Sequence, residues 1–97
     1  MGEDRELVGT FIRRQIEGQG AIDSFANDVD IARGTLYRIF RGDPVVSWGK
    51  LNRIETFLEL PVGTLTLIAA HDWDGLRDVG VRGDMVQWLQ KQTETAD

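Results

Sequence analysis

The residues of this 97-residue chain best suited to recognition chemistry fall within one short run, ARGTLYRIFRG, at residues 32–42. Arg33 and Arg38 each carry a planar guanidinium whose parallel N–H donors match guanine O6 and N7 in a duplex major groove. Gly34 lies beside Arg33 and removes bulk, so a backbone there approaches a groove floor closely. Thr35 and Tyr37 suit a thymine methyl or a phosphate. Arg33, Gly34, Thr35, Tyr37 and Arg38 are therefore the expected base-edge set. Arg41, Lys50 and Arg53 are expected on phosphates, contacts that fix position rather than sequence. The plainer alternative is a solvated charged face, with Gly34 a tolerated helix glycine costing about 1 kcal/mol relative to Ala.

These groups act together only if a helix aligns them. At about 100° per residue, Leu36, Ile39 and Phe40 cluster on one side, which marks the core direction. Gly34, Arg38 and Arg41 cluster opposite, with Tyr37 on the flank. The net charge of −5 opposes a polyanionic partner at first sight. Distribution matters more than the sum. Over residues 33–53 five cations face Asp43 alone, a local +4. Charges farther away than about 8 Å are largely screened at physiological salt.

Other chemistries find little support. There are no cysteines, hence no disulfide, thiolate zinc site or cysteine nucleophile. His71, Asp72 and Asp74 in HDWD suggest a metal at first, but without a fourth ligand at helical spacing they read as a polar loop. Asp23 and Ser24 are expected near nothing basic, so no triad is visible, and no phosphate-binding glycine loop appears. The expectation is a non-enzyme without cofactor or metal. The acidic start, MGEDRELVGT, is not a signal peptide, and no apolar run is long enough for a membrane span. A cytoplasmic location is expected.

The surrounding elements all read as helices. Leu7, Val8, Phe11, Ile12 and Ile16 form an apolar stripe over 4–17, with Asp4 as N-cap and Gly18 and Gly20 ending the helix. Arg13 and Arg14 lie off that stripe and read as solubilising charge. A second helix spans 22–28 with Phe25, Ala26 and Val29 inward. Asp30 follows where the backbone must turn left-handed, and Ile31 plugs the gap. Gly42, Asp43 and Pro44 break the third helix. Ser47 caps a fourth over 48–59, with Trp48, Leu51, Ile54, Phe57 and Leu58 in register. Pro61 opens a fifth reaching Ala70, with Val62, Leu65 and Ile68 inward. Residues 71–80 read as a polar connection, 81–92 as a short amphipathic helix carrying Val81, Met85, Trp88 and Leu89, and the last five as a frayed tail.

The stretch SFANDVDIARGTLYRIFRG resembles the lambda-repressor-like (Xre, Cro/CI-type) helix-turn-helix family. Phe25 and Ala26 match its second helix, Ile31 its turn, and Thr35, Leu36, Arg38, Ile39, Arg41 and Gly42 its third helix. SWGKLNRIETFLELPVGTLTLI is similar to the helices that follow. The pattern departs at Ile22, Asp30, Ala32 and Phe40, where the family favours a phosphate-binding amide, glycine, a hydroxyl cap and a polar residue.

The resemblance implies an all-α, five-helix bundle in residues 1–70. Residues 71–80 would be a connection and 81–97 a C-terminal extension. It further implies a sequence-specific regulator of phage or bacterial type, a repressor, bound to double-stranded DNA as a homodimer. Either the Val81–Leu89 face or the fifth helix would supply the dimer seam, though Met85 and Trp88 equally suit packing on the domain. The competing reading is an antitoxin-like protein-interaction module, favoured by the acidic surroundings and by Trp73 and Trp88.

Overall fold

A computed structural model describes residues 3–17 and 22–94, which fold into seven helices with no strand among them. They are α1 (Arg5–Glu17), α2 (Ile22–Val29), α3 (Arg33–Phe40), α4 (Trp48–Phe57), α5 (Thr64–Ala69), α6 (Trp73–Asp78) and α7 (Gly83–Glu94). The expected helix-ending glycines Gly18 and Gly20 lie outside the described residues, as do residues 95–97 of the expected frayed tail. Thr93 and Glu94 of that tail continue α7.

The apolar stripe of α1 is the hub of the core. Leu7, Val8, Phe11, Ile12 and Ile16 are all buried, and α1 touches α2, α3, α5 and α7. Asp4 Oδ1 accepts the Leu7 N–H at 3.0 Å, which satisfies one of the unpaired donors at the start of α1. Asp4 N donates to the Ala69 carbonyl at 2.8 Å and so ties that start to the end of α5.

α1 approaches α3 closely because Gly9 has no side chain. A methyl there would overlap the Ile39 carbonyl oxygen and lie 2.7 Å from that of Phe40. Gly42 serves the same junction. It ends α3 with φ +78, donates to the Ile39 carbonyl, and would place a methyl 2.6 Å from Glu6 N.

The same left-handed ending recurs with larger residues at Asp30 (φ 55), Glu59 (φ 58) and His71 (φ 56) after α2, α4 and α5. Asp30 thus turns as its sequence context implies, and Ile31 is buried behind it.

Several expected boundaries shift. α4 ends at Phe57 because Glu59 turns left-handed, and Phe57 is 41% exposed, meeting Phe25 only edge-on at 5.4 Å. α5 starts at Thr64 rather than Pro61, so Val62 lies in the preceding turn at 95% exposed instead of facing in. Ser47 occupies the N-cap position of α4 but makes no side-chain cap bond.

Glu55, buried near the end of α4, accepts N–H donors from Gly63 and from Thr64 (3.0 Å). It therefore caps α5 from a neighbouring helix.

The stretch expected as a polar connection contains α6. Asp72 Oδ1 accepts the Gly75 N–H at 2.9 Å, and Leu76 is fully buried. Leu76, Val81, Val86 and Leu89 join the same hydrophobic cluster as α1 to α5. The C-terminal apolar face, a candidate dimer seam from the sequence, is therefore largely buried within the chain itself.

Candidate nucleic-acid interface

α2 and α3 are joined by the turn 30–32, and the wheel computed for α3 matches its packing. Leu36, Ile39 and Phe40 are buried, while Arg33, Gly34, Arg38 and Arg41 are exposed and Thr35 and Tyr37 half-buried. Ala32 stands at the N-cap without a side-chain bond, so the first N–H groups of α3 receive no cap from it. Among the described residues nothing lies within 4 Å of where a methyl on Gly34 would sit. The outer side of α3 is thus low at its N-terminal end and flanked by guanidinium groups.

The predicted cations separate into free and committed groups. Among the described residues the side chains of Arg38, Arg41 and Lys50 have no hydrogen-bond or ion-pair partner. Each is exposed, so the charge is available to a ligand. Arg53, expected on a phosphate, also has partners within the chain. Its Nη1 donates to the Asp30 carbonyl at 3.0 Å and to the Val29 carbonyl at 3.3 Å. A cation there suits the partial negative charge at the end of α2. Arg53 anchors the turn that sets α3 against α2.

Arg33 also has partners. Its Nε is 3.3 Å from Asp23 Oδ1 at the start of α2, and its guanidinium carbon lies 5.9 Å from the centre of the Tyr37 ring. The neighbouring Tyr37 side chain, and after it the Asp23 carboxylate, hold the Arg33 pKa above its ordinary value, so the group remains cationic. Tyr37 in turn stands edge-on to Phe40 at 5.9 Å. The expectation that Asp23 has no basic neighbour is therefore incorrect. The signal available in the sequence was indirect: opposite charges stand in the first turns of two successive helices.

Arg13 and Arg14 do more than add solubility, since the former lies over the Phe40 ring at 5.6 Å and the latter over Trp88 at 4.6 Å. The HDWD residues are also engaged locally. His71 Nε2 is 2.7 Å from Asp4 Oδ2, and its ring stacks on Trp73 at 5.1 Å, while Asp72 caps α6. No helix among the described residues is long and apolar enough to cross a membrane.

The chain matches no protein-family model, no curated protein and no solved structure.

Proposed function

We propose that this chain is a sequence-specific regulator that binds double-stranded DNA. In this reading α2, the turn and α3 form a helix-turn-helix of the lambda-repressor-like kind, with α3 in the major groove. The observation that carries the proposal is the division of α3 into two sides. One side is buried through Leu36, Ile39 and Phe40, and the other presents Arg38 and Arg41 beside the open backbone at Gly34. A major groove about 12 Å wide admits one helix, whose first residues reach base edges. Arg33 and Arg38 read bases, with Thr35 and Tyr37 beside them. Arg41 and Lys50 hold phosphates, and Arg53 sets the turn.

Such a helix reads few base pairs, so the active form is a homodimer on two half-sites. Because the α7 face is occupied internally, the exposed apolar residues around α5, Val62 foremost, offer the better seam. The alternative, an antitoxin-like interaction module, keeps the acidic surroundings in its favour but loses part of its support. Trp73 and Trp88 are half-buried against His71 and Arg14 rather than open to a partner.

The test is duplex binding as a function of salt, using sequences selected from a randomised library. Wild type should weaken linearly in log–log form, by a slope of about 0.9 for each phosphate neutralised. Lys50→Ala should reduce that slope by about one contact and weaken all sequences alike. Arg38→Ala should weaken the selected duplex by on the order of tenfold or more while leaving unselected DNA less affected. Binding insensitive to salt, or no binding at all, overturns the proposal.

A further inference from the structure

From the contact between the starts of α2 and α3 we infer that Asp23 is a specificity-determining positioning residue, holding Arg33 so that its terminal nitrogens face a base edge. The inference rests on the DNA-binding reading above and adds to it the part played by an acidic residue.

The pair itself is exposed, with side-chain accessibilities of 63% and 67%, so in free solution it contributes little to stability. Its value lies in direction. Asp23 Oδ1 stands at the Nε edge of Arg33, 3.3 Å away, and Tyr37 lies alongside the guanidinium. The Asp23 carboxylate comes closest at Nε and not at the Nη1–Nη2 edge. That edge is the pair of parallel donors that fits guanine O6 and N7. An unrestrained arginine has several rotatable bonds and reaches a neighbouring phosphate as readily as a base. Two lateral contacts reduce that freedom before DNA arrives.

The arrangement has an electrostatic cost, because a carboxylate at the start of α2 repels the phosphates that a helix N-terminus would otherwise attract. A carboxylate that lowers general affinity while sharpening base choice leaves a distinctive signature. Without it, Arg33 remains cationic but is released towards the backbone.

The experiment compares wild type, Asp23→Asn, Arg33→Ala and the double variant. Each is measured for sequence preference on a randomised duplex library, for affinity to unselected duplex, and for thermal stability. Asp23→Asn is expected to flatten the preference at one base position by on the order of tenfold, and to bind unselected duplex more tightly than wild type. In the Arg33→Ala background the same substitution should leave base preference unchanged. Asp23 also lies in the first turn of α2, where its charge has a stabilising role of its own. A solely structural role would lower the melting temperature and weaken all duplexes together, without altering preference at a position. That outcome overturns the inference, as does an Asp23→Asn variant with wild-type preference at every position. If wild type itself fails to bind duplex, the DNA-binding reading falls with it; if wild type binds selectively and only Asp23→Asn fails to differ, the inference alone falls.

Discussion

A glycine matters on both the inner and the outer side of α3, for opposite reasons. On the inner side Gly9 of α1 is packed against the Ile39 and Phe40 carbonyl oxygens, and the absence of its side chain is what lets the two helices meet. On the outer side Gly34 has open space around it, so no contact among the described residues explains why a residue so poor at forming helices stands there. The cations differ in the same way. Arg5, Arg77 and Arg82, remote from the outer side of α3, each pair with a nearby carboxylate at Glu3, Asp74 and Asp84 respectively. Among the described residues the side chains of Arg38 and Arg41 have none. What is complete within the fold needs no partner, whereas the outer side of α3 is incomplete in both shape and charge.

Substitutions test this contrast directly. The largest effect should come from Gly9→Ala, which forces α1 away from α3 and should cost about 3 kcal/mol in a denaturant titration. A change under about 0.5 kcal/mol would mean that the helices separate easily and that their close approach is unimportant. Arg53→Ala should cost about 1 kcal/mol, because it removes charged donors from the Val29 and Asp30 carbonyls where α2 ends and the turn begins. It should also weaken duplex binding by loosening the α2–α3 turn. Unchanged stability would return Arg53 to a purely phosphate-facing role.

The smallest stability change, and the sharpest for the comparison, is Gly34→Ala. It should stabilise the fold by about 0.5–1 kcal/mol through helix propensity, yet bind duplex more weakly. A gain in stability with unaltered binding would leave Gly34 as an ordinary helix glycine.

Much of the fold was legible because local rules act within one element. The boundaries of α3, its buried residues and its left-handed end at Gly42 all follow from helical periodicity and glycine chemistry. The same rules misplace Val62, because they put Pro61 at the start of α5, whereas Gly63 stands at its N-cap and Glu55 supplies the acceptor from α4. They also hid α6, whose six residues include Trp73 and Leu76 but show too short a pattern to stand out from a polar loop. In the candidate site, the exposure of Arg38 and Arg41 could be read from spacing alone. The commitments of Arg33 and Arg53 could not, since their partners lie on other elements.

The amino-acid order alone therefore determined an all-helical chain, the side of α3 that faces the core, and a basic stretch within an acidic whole. Those properties depend on neighbours a few positions apart, whose relative directions the helix sets. Tertiary packing decided that Arg53 grips the turn, that Asp23 meets Arg33, and that the apolar face of α7 is buried in its own chain. Each of these depends on how separate helices lie against one another, which is set by the shape of a shared core rather than by any repeat within a segment.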